Sequence, residues 1–148
     1  MHNKKDLQQT ADRIILERLP YMKKILIAED DAISARVYRM CLESAGFEVQ
    51  VAADGQAAIE KIAENPPDAL LLDLMMPRMN GVDVLKHLRS MPQFQTLPVM
   101  VYTNAYAKLG QEAVDAGATR VFDKSKLTPA ILLEALRGAT RETSEPSS

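Results

Sequence analysis

The chain has 148 residues, 47% of them apolar and 26% charged, with a formal net charge of −2. That length suits one well-packed domain and is short for two, and the near-neutral charge gives no general reason for nucleic-acid or membrane binding. The single Cys41 excludes an internal disulfide, the polar start from Met1 to Asp12 does not read as a secretory signal, and no apolar run approaches the ~20 residues of a membrane span. A reducing, cytoplasmic setting is expected.

Residues 1–22 read as an N-terminal helical extension. Leu7, Ala11, Ile14, Ile15 and Leu19 fall at helical spacing, and Pro20 stops the pattern. Its expected roles are to cover its own domain or to act in self-association or partner docking. Residues 23–140 read as the main domain, and 141–148 as a polar, disordered tail.

From Lys23 the chain alternates short apolar strands with amphipathic helices. Lys24 to Ala28 is a continuous apolar run, as expected of a strand covered on both faces. Ala32 to Ala45 carries Ile33, Val37, Met40, Cys41 and Ala45 with helical period, Cys41 as a small buried hydrophobe, and Gly46 is a natural stop. Strand Glu48 to Ala52 and helix Gly55 to Glu64 follow, and Asn65-Pro66-Pro67 breaks the chain. The third strand, Ala69 to Leu72, ends at Asp73. A loop through Pro77 and Asn80-Gly81 leads to a helix over Val82 to Ser90. Pro98 introduces the strand Val99 to Tyr102, followed by a helix over Ala105 to Ala116 that Gly117 closes. Strand Arg120 to Phe122 and helix Pro129 to about Thr140 complete the domain. Five strand–helix repeats with short links predict an α/β, doubly wound, five-stranded parallel sheet. Such sheets place their chemistry beyond the carboxyl ends of the strands.

Those ends carry Glu29-Asp30-Asp31, Asp73, Thr103 and Lys124. Carboxylates gathered this closely repel one another and raise each other's pKa. A divalent cation resolves the conflict, and a few carboxylate oxygens with retained waters suit Mg²⁺. Lys124 is a point cation able to reach the same place, and Thr103 adds a hydroxyl. Together they suit phosphoryl transfer: Asp73 as nucleophile, Lys124 and the metal neutralising the moving group, and Thr103 holding it afterwards. Taken singly, each residue has a plainer role. Asp31 is read as the N-cap of the helix beginning at Ala32, Thr103 alone could be a turn residue, and Lys124 alone a solvated charge. Their convergence on one sheet edge carries the functional reading.

The stretches Lys24-Ile25-Leu26-Ile27-Ala28-Glu29-Asp30-Asp31 and Asp68-Ala69-Leu70-Leu71-Leu72-Asp73-Leu74-Met75-Met76-Pro77, with Asn80-Gly81, Val101-Tyr102-Thr103 and Lys124, resemble the receiver family of two-component signalling; Ala52-Ala53-Asp54-Gly55 and Gly117-Ala118 also fit. The resemblance runs from about Lys23 to Leu136. It implies a flavodoxin-like, CheY-like fold with strand order 2-1-3-4-5. It also implies Asp73 as phosphoacceptor, Asp30 and Asp73 as direct Mg²⁺ ligands, Glu29 acting through water, and the backbone carbonyl of Met75 as a further ligand. Thr103 and Lys124 take the roles argued above.

Two positions depart from the family. Ser125 stands where a proline usually follows the lysine; a non-proline cis bond costs about 2.5–4 kcal/mol, so a trans peptide and a rearranged loop are expected. Val121 stands where the family carries an aromatic switch residue, and the adjacent Phe122 should point to the opposite face. Met75 and Ala105, at positions where polar side chains handle the hydrolytic water, imply slow self-dephosphorylation. Asn104 is bulkier than the usual residue there.

The resemblance implies a response regulator and phosphoprotein, not an enzyme in the ordinary sense, and with neither the first 22 residues nor those after Arg137 long enough for an output domain a stand-alone regulator is expected. Its partners would be a histidine kinase or phosphotransfer protein and a downstream protein, with no nucleic acid and no membrane. The signalling face would draw on Tyr106, Lys108, Gln111, Asp115, Arg120 and exposed positions of Pro129 to Arg137. A homodimer through the last helices or the N-terminal helix is a further possibility, since Ile131, Leu132, Leu133, Ala135 and Leu136 make the last helix apolar around much of its girth. The alternative is a phosphorylation-independent scaffold on the same fold.

Overall fold

The computed structural model describes residues 4–10 and 22–144. Residues 4–10 are helical, with Leu7 61% exposed; the rest of the expected N-terminal helix, from Ala11 to Pro20, lies outside the described residues.

Five parallel strands form one sheet: β1 (Lys24–Ala28), β2 (Glu48–Ala52), β3 (Ala69–Asp73), β4 (Val99–Thr103) and β5 (Arg120–Asp123), in the order β2-β1-β3-β4-β5. The helices between them are α1 (Ala32–Ser44), α2 (Gly55–Glu64), α3 (Gly81–Arg89), α4 (Tyr106–Asp115) and α5 (Pro129–Ser144). This is the expected doubly wound architecture.

Central strands and edge strands differ as their sequences foretell. β3 and β4 are buried at every position, whereas β2 at one edge alternates buried and open residues and β5 at the other is only half-buried. The sheet's two faces make two cores. Ala28, Leu70, Leu72, Val99 and Val101 face Ile62 of α2, Leu85 and Leu88 of α3 and Ala113 of α4. Ile25, Ile27, Leu71, Met100 and Tyr102 face Leu42 of α1 and Leu132 and Leu136 of α5. Alternation along each strand therefore feeds both layers.

The structure corrects two details. In α1 the expected apolar positions Ile33, Val37 and Met40 lie outward, 76%, 53% and 61% exposed, and Cys41 is only half-buried. Ala35 and Leu42 are buried instead, with Tyr38 and Ala45 packed beside them. That set also has helical period, so the pattern admits two faces, and the tyrosine ring settles which is inside. Secondly, α5 runs to Ser144, past the expected end; no glycine or proline stands between Gly138 and Pro146 to stop it. At the loop where Ser125 departs from the family, Lys124–Lys126 forms a 3-10 turn capped by Asp123, which accepts from Ser125 N at 3.0 Å and Ser125 Oγ at 2.7 Å. As expected for Ser125, no cis peptide occurs among the described residues.

Candidate functional site

Sheet register assembles the site. Ala28 is paired with Leu72, Asp73 with Tyr102, and Thr103 with Asp123, so Glu29, Asp73, Thr103 and Lys124 leave neighbouring strands at one edge. Local caps then fix the loops. Asp31 caps α1, accepting from Ser34 N at 3.1 Å and Ser34 Oγ at 2.6 Å, which is the role expected of it. Asn80 caps α3 through Asp83 N at 3.0 Å, and Asp54 caps α2 through Ala57 N at 2.8 Å. Each such cap is worth about 1 kcal/mol and aims its loop as well as its helix. Gly81 permits the return of the β3–α3 loop: a Cβ there would lie 2.7 Å from both the Asp73 carbonyl oxygen and Leu74 Cα.

Glu29, Asp30 and Asp73 each present a carboxylate oxygen to a common point, all within 4.8 Å of one another. Glu29 and Asp73 are buried, 2% and 5% exposed, while Asp30 is open to solvent. Lys124 Nζ donates to Glu29 Oε1 at 2.8 Å and lies 3.7 Å from Asp73 Oδ2. Glu29 Oε2 accepts from Asp31 N at 3.3 Å, and Asp73 Oδ1 from Met75 N at 3.1 Å. Thr103 Oγ1 accepts from Ala105 N at 3.0 Å, so its hydroxyl is tied to the turn that begins α4. Met75 is 57% exposed at the mouth of the site.

The electrostatics divide the two buried carboxyls. Burial, reinforced by the neighbouring Glu29, pushes Asp73 up to about 7. Burial acts the same way on Glu29, but its hydrogen-bonding neighbours Asp73 and Lys124 outweigh it and hold Glu29 below the usual carboxylate range. Burial works to lower Lys124, and its bond to Glu29 prevails and raises it. Glu29 and Lys124 thus form the closer charged pair, while Asp73 keeps the Met75 N–H and stands 3.7 Å from the same ammonium. Three carboxylate oxygens at this spacing with a single cation beside them fit a hard divalent ion with oxygen ligands.

Glu29, Asp30, Asp73 and Lys124 therefore meet, and Thr103 ends the neighbouring strand one residue beyond the register partner of Asp73. Tyr102, read from sequence only as part of an apolar strand, belongs with them: Lys124 Nζ sits 5.3 Å from its ring centroid. Its signal was positional, next to Thr103 and across from Asp73. At the other departure, Val121 packs with the α2–α4 core and Phe122 with the α1/α5 core, as strand alternation requires, with the Arg120 guanidinium 4.7 Å from the Phe122 centroid. Tyr106, Lys108, Gln111, Asp115 and Arg120 are all exposed.

Known proteins share this arrangement. A family model described as the response regulator receiver domain matches residues 25–137. The response regulator MprA of Mycobacterium sp. (strain KMS) is 37% identical over 122 residues, 82% of this chain and 52% of the relative. The chain thus spans about half the length of the curated relatives it matches. Among solved structures, the chemotaxis response regulator CheY4 of Vibrio cholerae aligns with a TM-score of 0.72 and 30% identity, covering 80% of this chain and 98% of that one. The receiver domain of the sensor histidine kinase PA1611 from Pseudomonas aeruginosa PAO1, with a magnesium ion coordinated in its active site cleft, aligns at 0.75 and 25% identity, covering 81% and 98%. With the sheet order, the acid cluster and these matches together, the chain belongs to the response regulator receiver domain family.

Proposed function

We propose that this chain accepts a phosphoryl group on Asp73 from a histidine kinase or phosphotransfer protein and signals by altered binding to other proteins. The observation that carries the reading is the placement of Lys124 Nζ between the buried Glu29 and Asp73, at 2.8 and 3.7 Å. One oxygen of the Asp73 carboxylate forms the new P–O bond as the bond from phosphorus to the donor's nitrogen or oxygen breaks, the leaving atom keeping the electron pair. Lys124 neutralises the transferred oxygens, and Thr103 donates its hydroxyl to the finished group. Glu29 (through water), Asp30, Asp73 and the Met75 carbonyl would hold Mg²⁺, which supplies charge neutralisation for the phosphoryl oxygens. With Met75 and Ala105 unable to orient water, self-dephosphorylation is slow, and catalysis of other substrates is not part of the role.

The domain reading is 1–22 as extension and 23–140 as receiver, with α5 carried on to Ser144, in a reducing, cytoplasmic setting. Among the described residues no helix is long and apolar enough to cross a membrane. The exposed side chains of α4, β5 and α5, from Tyr106 to Ile131, are the surface for the downstream partner or a second copy. Val121 and Ser125 favour a second reading, a phosphorylation-independent scaffold.

Intact mass after incubation with Mg²⁺ and acetyl phosphate or a phosphohistidine donor separates the two. The expected result is a gain of about 80 Da, absent from Asp73→Asn and without the metal. No gain from either donor, together with no Mg²⁺ binding, would leave the scaffold.

A further inference from the structure

Tyr102 stands against the reacting groups without a part in the chemistry above. It is the register partner of Asp73 across β3 and β4, so both side chains leave the same face of the sheet. Glu29 shares that face, two residues beyond Ile27 of the same core. The Tyr102 ring is wedged edge-on against Tyr38, centroids 5.2 Å apart, and lies beneath the Lys124 ammonium at 5.3 Å. Tyr102 is 0% exposed, yet its hydroxyl completes no well-formed hydrogen bond, the only buried side-chain polar atom so left among the described residues, although it lies close enough to Glu29 to feel it.

A ring that only filled space would serve as well without its oxygen, and an unsatisfied buried hydroxyl is costly. Burial, then the negative charges of Glu29 and Asp73, push the phenol far above its ordinary range, so it stays a neutral donor. The acid it faces is Glu29, whose cation is Lys124. Phosphoryl transfer needs that same lysine. Once Lys124 turns to the oxygens of a phosphoryl group on Asp73, the buried Glu29 is left with the Asp31 N–H alone among the protein donors that hold it now.

Resting on the phosphoacceptor reading, we propose that the Tyr102 hydroxyl is the second partner of Glu29, donating to its carboxylate when Lys124 leaves for the phosphoryl group. Tyr102 is then a positioning residue: it keeps Glu29 oriented toward the metal position while Lys124, the side chain paired with Glu29 now, is engaged elsewhere. The aromatic face beneath Lys124 eases the move, because the ammonium stays over the ring as it shifts from one acid to the other.

Tyr102→Phe removes the donor and keeps the ring; Tyr102→Leu removes both. Metal-free Tyr102→Phe should melt at or above the wild-type temperature, since an orphan hydroxyl is gone, whereas Tyr102→Leu should melt lower. With Mg²⁺ and acetyl phosphate, Tyr102→Phe should gain its phosphoryl mass roughly tenfold more slowly, the scale of one lost hydrogen bond to a charged group. In wild-type protein carrying ¹³C-labelled tyrosine, the Tyr102 phenol carbon should shift when Mg²⁺ and trifluoroberyllate, a phosphoryl mimic, are added. Wild-type rates in Tyr102→Phe with an unmoved Tyr102 resonance would overturn the proposal and leave the phosphoacceptor reading intact. Absence of any mass gain in the wild type from both donor classes would overturn that reading, and this inference with it.

Discussion

Asp73 and Glu29 are chemically similar acids in one buried site, and their surroundings drive them apart: Asp73 is raised to about 7, and Glu29, beside Lys124, is held below the usual carboxylate range. Raised to about 7, Asp73 binds its proton more tightly in the folded chain than in the unfolded one. Its contribution to stability is therefore full below the unfolded value of about 4 and is lost as pH rises through the folded value. Asp73→Asn, a neutral isostere, should stabilise the metal-free protein by about 2–4 kcal/mol at pH 8 and by about a third of that at pH 5. Thermal melts in chelator at the two pH values check this; equal shifts at both would disprove it. Lys124→Met has the opposite sign. It strands Glu29, whose side chain is fully buried, and should cost about 2–4 kcal/mol in a metal-free urea titration. The acids, Thr103 and Lys124 were legible in the sequence because each interrupts or ends an apolar run. Tyr102 was not, because an aromatic inside such a run satisfies the rule for a core strand.

At the scale of elements, strand limits were legible to within a residue, since apolar runs bounded by acids and turn residues leave little room to slide. Which face a helix buries was less so. In α1 the larger aliphatic side chains Ile33, Val37 and Met40 face outward while Ala35 and Leu42 are buried, with Tyr38 packed on the same side. Close approach is the reason for Gly81. Gly81→Ala must push the β3–α3 loop away from the Asp73 carbonyl and Leu74, since contacts of 2.7 Å cannot be kept. A loss of about 1–3 kcal/mol, of the kind overpacking produces, should appear in its thermal melt. Phosphoryl mass gain should slow along with it, because the loop that shifts carries Met75 N, one of the donors to Asp73. Normal stability with normal phosphorylation would mean that the loop yields without moving the carboxylate.

Across the whole molecule, the site is one edge of a sheet braced on both faces, and the bracing continues at the ends of the elements. The half-buried Arg89 at the end of α3 donates to the Phe94 carbonyl at 2.6 Å and to the Gly117 carbonyl at 2.8 and 3.1 Å, joining the segments that enter β4 and β5. A ligand bound at the acid cluster therefore acts on the stability of the whole fold. Any ion held only by the folded state stabilises it by mass action, about 2.7 kcal/mol at a hundred times its dissociation constant. For a domain of this size each kcal/mol moves the melting temperature by roughly 3–6 °C. Mg²⁺ should thus raise the wild-type melting temperature by about 10 °C near saturation, with the shift rising logarithmically above the dissociation constant. Asp30→Asn tests whether the cluster is responsible. Asp30 is exposed and takes part in neither the Lys124 pair nor a helix cap, so its replacement should leave the metal-free melting temperature in place while flattening the Mg²⁺ response. An undiminished response in Asp30→Asn would put the ion elsewhere on the molecule, and a lowered metal-free melting temperature would show that Asp30 supports the fold itself.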